Sequence, residues 1–514
     1  MVAPRATPEI AWQSAVAGQQ ESVREKMIGK WGDVTPRWRS AGWAVLLLGL
    51  AMPAAPAGDW GRFRGPNGTG VADESGPLPT QIGPDANLIW KVDLPNGISS
   101  PVVGGGRVLM TTDDGKQLET WALDARTGKT LWRTVAPRIH KTKGQRLATA
   151  SPVTDGERVV SFFQTSGLLC YDMQGRLQWR QDVGPLKNQF NHAASPILVD
   201  NRLLLVVDHD GDSMVVALEK TTGQELWRSY RFICGRNYAS PVVWKFGGRQ
   251  FVVVAGSGLI VGYDVVTGTP EWYVRGTSAV ANPTPIVSAD QTKLFVHSQS
   301  PPNGARSSPF RGLRERYDTS ADGVLQVEEL PASFLKTFFA KFDQDRSGGV
   351  DEAEYGRLEG ISQPFVKGMV AIRPGGKGDL TDTNVVWTQT RSMPRTPSAI
   401  CHQDVLYVVN ESGVLQTFSA GTGELLHKDR LAARGTIYSS LALGDGKLFA
   451  GTRDGAVAVV SAEAEWQDLH NAKLDGEIQA SPAIADGRVY FRTSQSLYCF
   501  GHQASPVKAG GEAP

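Results

Sequence analysis

The sequence predicts an all-β, eight-bladed β-propeller, closed by strands from both ends of the chain and carrying a small helical insertion in its fifth blade. Three observations predict it. A strand–turn–strand unit ending in Trp recurs along the chain, a small-residue/Pro step precedes each copy, and one interval between copies is more than twice as long as the others.

The best-formed unit runs from Trp121 to Trp132. Asp124 can accept bonds from the amides ahead of it, and Gly128 can take a positive φ without a Cβ clash, so the polar centre reads as a tight turn between two strands. Further copies run from Cys170 to Trp179, from Ala217 to Trp227 and from Gly262 to Trp272, with a degraded one from Thr417 to His427. Trp387 and Trp466 mark the same place after less regular turns, and Trp90 precedes the first full copy. The steps are Ser100-Pro101, Ser151-Pro152, Ser195-Pro196, Ser240-Pro241, Thr284-Pro285, Thr396-Pro397, Ser439-Ser440 and Ser481-Pro482. A period of about 40–50 residues in a strand-and-turn pattern means four-stranded propeller blades. Leu88 to Val92 lies before the first step, and the last strand signal is Leu497 to Phe500, so the early segment is expected to supply the outer strand of blade 8. Such closure removes a free sheet edge.

The repeated Ala-x-Asp-x-x-Thr-Gly-x-x-x-Trp pattern resembles the tryptophan-docking motif of pyrroloquinoline-quinone-type eight-bladed propellers, in the quinoprotein-like superfamily. Asp59 to Gly68 (DWGRFRGPNG) resembles the segment that opens exported members. The resemblance spans roughly residues 59–500 and implies the fold. The motif itself locks neighbouring blades and does no chemistry.

A formal charge of +1 and 41% hydrophobic residues describe a soluble globular chain with no general basic field for nucleic acid. Residues 1–57 read as an extension and a signal peptide, starting at Met1 or Met27. Lys30, Arg37 and Arg39 form its basic region, Ala44 to Met52 its apolar run, and Ala55-Pro56-Ala57 a cleavage site before Gly58. The run is short for a spanning helix, and an uncleaved anchor is the alternative. The expectation is therefore an exported protein with no membrane span after cleavage. The propeller occupies 58–300 and 365–502, the insertion 301–364, and a disordered tail 503–514. Cys170, Cys234, Cys401 and Cys499 show no disulfide framework, and no catalytic thiol is expected.

The long interval holds the strongest chemical signal. Two twelve-residue stretches fit the EF-hand calcium loop, which draws oxygens from positions 1, 3, 5, 7, 9 and 12. The first offers Asp318, Ser320, Asp322, Val324, Gln326 and Glu329, and the second Asp343, Asp345, Ser347, Gly349, Asp351 and Glu354. Gly323 and Gly348 stand at position 6, where the chain turns sharply, and Leu325 and Val350 at position 8 suit a β-bridge between loops. Leu330 to Phe342 reads as a helix with Phe334, Leu335, Phe338, Phe339 and Phe342 on its inner face. Calcium is the expected ligand. Loop topology predicts that the pair stands beside the mouth of the central channel.

That mouth reads as basic. Between each Trp-position residue and the next step stand 18 Lys or Arg (among them Arg138, Lys141, Lys143, Arg146, Arg231, Arg236, Arg391 and Arg395) and six Asp or Glu. A basic funnel attracts anions, and solvated loop charge is the alternative. His192, Tyr238, Asn282, Arg395, Tyr438 and Gln479 are the candidate mouth residues. Asp208 to Asp212 (DHDGD) reads either as a hairpin turn or as a divalent-cation loop, and His140 and His192 as loop histidines or an acid–base pair.

Two functions follow. The first is an exported calcium-binding scaffold for an anionic ligand or a protein partner. The second, implied by the resemblance, is a quinoprotein dehydrogenase of alcohols or sugars with pyrroloquinoline quinone in the funnel. Such enzymes carry adjacent cysteines above the cofactor, and this chain has none. The binding scaffold is therefore the preferred reading.

Overall fold

The computed structural model describes residues 59–502, apart from 73–74, 142–147, 189–190, 299–308, 362–367 and 392. The signal-peptide and tail expectations, and Lys143 and Arg146, lie outside the described residues.

Eight sheets, each with four antiparallel strands, form an eight-bladed propeller. Blades 1–4 occupy 102–136, 153–181, 197–230 and 242–275. Blade 5 takes 286–298 and 368–389, and blades 6–8 take 400–430, 442–473 and 483–501. In blade 1 the third strand, Leu118–Asp124, is buried over nearly its whole length, while the outer strand, Thr130–Ala136, alternates exposed and half-buried. That difference follows from packing: middle strands meet neighbouring blades on both faces, and outer strands meet solvent.

Leu88–Asp93 pairs antiparallel with Ser496–Gly501 and completes blade 8, so both ends of the chain close the ring. The indoles act between blades. Trp90, Trp132, Trp179, Trp227 and Trp387 lie over Gly128, Gly175, Gly223, Gly268 and Gly423 of the following blade's turn. A Cβ on Gly128 would stand 2.7 Å from the Trp90 ring, and the φ of +74° there suits only a residue without one. Each of these indole N–H groups also donates to a backbone oxygen of that turn, for example Trp90 to Ala125 at 3.2 Å and Trp132 to Met173 at 2.9 Å.

Two positions depart from the sequence reading. In blade 7 the docking position is His470, not Trp466. The docking residue pairs with a fixed place on the third strand (Trp132 with Ala122, His427 with Thr417), and in blade 7 Val459 pairs with His470. His470 reaches the Ile82 carbonyl at 2.9 Å, while Trp466 sits in the preceding turn against His427. Trp272 occupies its register position beside Gly262 but packs within its own blade. Blade 5 lacks the short turn that would receive it. Its longer connection instead adds Gly378–Asp379 as a parallel fifth strand beside Trp272 and Tyr273.

Asp59 to Val71 forms a strap across the end of the ring where the inner strands finish. Trp60 bridges Val103 in blade 1, the Thr154 amide of blade 2 donates to Gly61, and Asn67 exchanges two bonds with Val243 of blade 4. Arg62 donates to the Pro241 carbonyl, Arg64 to the Ala399 carbonyl of blade 6, and Val71–Ala72 pairs with Leu443 and Gly444 of blade 7. Burial pushes both guanidiniums down to about 9, and backbone carbonyls hold them. One strap thus ties five blades.

Candidate functional site

The small-residue steps form a circle around the channel, hydrogen-bonded from blade to blade except between Ser240 and Thr284, whose Oγ1 is buried without a hydrogen-bond partner. The amide of Ser100 donates to Ser151 Oγ, Ser151 to Ser195, Ser195 to Ser240, Thr284 to Ser398, Ser398 to Ser440, Ser440 to Ser481, and Ser481 back to Ser100, all at 2.9–3.0 Å. In blade 6 the ring residue is Ser398. Thr396-Pro397, the step expected from sequence, lies two residues earlier.

Inside the ring is a cavity of about 530 Å³. Phe63, on the strap, reaches it from one end, and Tyr238, Asn282, Arg395, Tyr438 and Gln479 line it with Arg236. His192 does not reach it. That ring is 2% exposed, packs edge-on to Phe162 with centroids 5.1 Å apart, and only the neighbouring Ala193 faces the cavity.

The basic character expected of the mouth is partly neutralised. Arg231 forms a buried pair with Asp208 at 2.9 Å, Arg236 reaches Asp210 at 3.2 Å, and Arg138 approaches Asp113 at 3.8 Å. In the Asp208 to Asp212 loop, Asp212 meets Arg316 at 2.9 Å. A separate arginine therefore answers each carboxylate, and the loop is a turn, with Ser213 Oγ accepting the His209 amide. His140 sits with Asp182 at 2.8 Å, apart from His192.

The histidines supply a pH prediction. Burial holds His192 and His297 neutral, with pKa values lowered to about 3. The unfolded chain takes up these protons below about pH 6.5, while the folded chain refuses them until about pH 3. Their contribution to stability is therefore complete above about pH 6.5 and is lost progressively below it. His297→Gln keeps an acceptor for the Ala399 amide, which His297 Nε2 now receives at 3.1 Å. This variant should flatten the fall in melting temperature between pH 7 and 4; an unchanged slope would refute the assignment.

All four cysteines are free. Burial pushes each thiol up to about 12, so none is a thiolate nucleophile near neutrality.

The insertion is built from two acidic loops joined by Leu325–Gln326 and Gly349–Val350, with Leu325 opposite Val350. Helix Phe310–Tyr317 leads into the first loop and Glu352–Ile361 leaves the second. The helix expected from Leu330 to Phe342 is instead a short turn, Phe334–Thr337, capped by Ser333 and followed by Phe339–Lys341. Phe334, Leu335 and Phe342 are buried, and Phe338 and Phe339 pack beside them.

The two loops repeat one geometry. Position 4 (Ala321, Arg346) and position 6 (Gly323, Gly348) all have positive φ. The position-6 amide donates to the position-1 carboxylate, Asp318 at 3.0 Å and Asp343 at 3.1 Å. Glu329 accepts from the amides of Thr319, Ser320 and Gln326, and Glu354 from the equivalent Gln344, Asp345 and Asp351. Burial opposes the Glu329 charge, but the Gln326, Ser320 and Thr319 donors prevail and hold its carboxyl down at about 2. In the second loop Asp343, Asp345 and Glu354 bring carboxylate oxygens within 4.8 Å of one another, and Asp343 Oδ1 is buried without a hydrogen-bond partner.

None of the insertion's described residues lines the cavity. Its described residues pack over the outer strands of blades 3 and 4. Tyr230 donates its amide to Ala332 at 2.9 Å, Phe232 meets Tyr317 at 5.7 Å, and Tyr273 contacts Phe334 and Phe338, both at 5.1 Å. Connection topology fixes the face of the ring but not the distance from its axis. The aromatic rim of blades 3 and 4 draws the insertion outward.

The profile of a family described as "Outer membrane protein assembly factor BamB" matches residues 35–212, 122–272, 211–306 and 376–498. Among solved structures, BamB from Moraxella catarrhalis is similar at 13% identity and a TM-score of 0.51, covering 81% of this chain and 99% of that one. A europium-containing methanol dehydrogenase is similar at 10% identity and a TM-score of 0.55, covering 87% of this chain and 98% of its own. A quinohemoprotein alcohol dehydrogenase from Pseudomonas putida HK5 has 12% identity and a TM-score of 0.51, covering 89% of this chain and 82% of its own. No curated protein matches in sequence. At these identities the structural likenesses show the fold alone, whereas the profile covers well over half of the chain. The chain belongs to the BamB-type, pyrroloquinoline-quinone-like β-propeller family.

Proposed function

We propose that this protein is an exported β-propeller scaffold whose inserted EF-hand pair binds calcium and whose axial cavity receives an anionic ligand. The observation that carries the calcium reading is the buried Asp343 Oδ1, without a hydrogen-bond partner, beside the carboxylates of Asp345 and Glu354. Like charges gathered this closely call for a cation, and hard oxygen donors at this spacing suit calcium. Asp343, Asp345, Ser347, Asp351 and Glu354 would hold one ion with the Gly349 carbonyl. Asp318, Ser320, Asp322, Gln326 and Glu329 would hold a second with that of Val324. Ser320, Gln326 and Ser347 supply fewer charges than a full acidic set, which points to an affinity of about 10⁻⁴–10⁻³ M, the range of extracellular modules.

The leader pattern in the sequence and the family named for outer membrane assembly support export. Among the described residues no helix is long and apolar enough to cross a membrane. A ligand present at about 100 times its dissociation constant stabilises a protein by about 2.7 kcal/mol per site. Saturating calcium should therefore raise the melting temperature by roughly 2–5 °C. Glu329→Gln combined with Glu354→Gln should abolish the rise; a rise that survives in the double variant would refute these ligands.

A further inference from the structure

The ring serines differ from their neighbours in what their hydroxyl hydrogens do. Ser99 Oγ donates to the Thr111 carbonyl at 3.1 Å and Ser439 Oγ to that of Gly451 at 2.8 Å. By contrast, each ring serine accepts an amide from the preceding blade, and none donates to a protein acceptor among the described residues. Each therefore retains one unused hydrogen. Six of these serines line the cavity.

The rest of the lining sorts into three chemistries. Phe63 presents an apolar ring. Asn282 and Gln479 offer amides that both donate and accept. Arg395 brings positive charge, Arg236 is already paired with Asp210, and no carboxylate lines the cavity. The volume, about 530 Å³, lies within the usual range for organic ligands and exceeds the needs of a bare inorganic ion.

A circle of hydroxyl donors around an aromatic ring suits a ligand with oxygens on its perimeter and C–H groups on its face. A guanidinium, that of Arg395, in a lining that holds no carboxylate suits one that also carries negative charge. We infer that the axial cavity binds a polyhydroxylated anion, an acidic sugar such as a uronate or a sugar phosphate. Its ring lies over Phe63, its hydroxyls meet the serine circle, and its acid faces Arg395. This rests on the reading of the propeller as a ligand-binding scaffold and is independent of calcium in the insertion.

Calorimetric titration of the full chain with glucuronate and glucose 6-phosphate, in calcium and in chelator, tests it. Glucose and inorganic phosphate serve as comparisons. At least one acidic sugar should bind saturably in both conditions and at least tenfold more tightly than either comparison. Arg395 is exposed, so Arg395→Gln should fold normally and weaken the acidic sugar at least tenfold. Phe63→Leu, which retains bulk on the strap, should also weaken it. Three results would overturn the inference: no saturable heat with either acidic sugar, glucose binding as tightly as the acidic sugar that binds, or phosphate binding as tightly as that sugar. Binding unchanged in both variants would overturn the placement in this cavity. Because each acidic sugar is also titrated in chelator, a failed calcium reading leaves this test intact.

Discussion

Asp208→Ala is expected to destabilise the protein by about 3–5 kcal/mol, because it strands a charge in the interior. Asp208 and Arg231 are 0% and 1% exposed at the side chain. Asp208 accepts two bonds from the guanidinium at 2.9 and 3.2 Å and a third from Asn237 at 3.2 Å, while Arg231 also donates to the Tyr263 hydroxyl at 2.8 Å. Burial pulls the Arg231 pKa down, and the Asp208 charge prevails to hold it well above its ordinary value; without Asp208 the guanidinium still keeps its proton near neutrality, because its intrinsic pKa is so high. Alanine would leave that charge in low dielectric with nothing to answer it. Replacing both members, Asp208→Ala with Arg231→Met, should recover most of the loss, since much of the cost belongs to the unpaired charge. Urea titration of the three variants measures this. A single variant within about 1 kcal/mol of the wild type would contradict the buried pair.

Trp90→Ala should be comparably severe, at about 3–5 kcal/mol. Trp90 is 8% exposed, lies over Gly128, contacts Tyr490 at 5.9 Å and donates to Ala125. It stands on the strand that completes blade 8, so its loss opens a cavity at the seam where the ring closes. Leu131→Ala is the comparison. That side chain is 44% exposed on an outer strand, and its truncation should stay within about 0.5 kcal/mol. Equal effects of the two would mean that the closing strand adds nothing to stability.

The blade count and the closure were legible because they rest on backbone-level rules. A glycine at positive φ beneath an indole recurs only where a turn and a ring must meet, as at Gly128 and Gly223. Residue identity misled where it was followed instead of register. Trp466 is the more conspicuous side chain, yet the bulge between Val459 and Val460 places His470 in the docking position. Likewise, Thr396-Pro397 resembles the other steps, but the hydrogen-bonded hydroxyl belongs to Ser398.

Of the site, the polar groups at the starts of inner strands could be named from spacing, as Tyr238 and Gln479 were. Three features could not. Phe63 reaches the cavity because the strap crosses the ring, a path set by contacts such as Arg64 to Ala399, 335 residues away. The outward placement of the insertion depends on Tyr230 and Tyr273, which look like ordinary strand residues in sequence. The burial of His192 depends on Phe162 of the neighbouring blade.

Calcium titration by calorimetry on the full chain, with Glu329→Gln and Glu354→Gln separately and together, addresses the central claim most directly. The paired loops predict saturable heat with two ions per chain, one in each single variant and none in the double variant. The absence of calcium heat in the wild-type chain would contradict it.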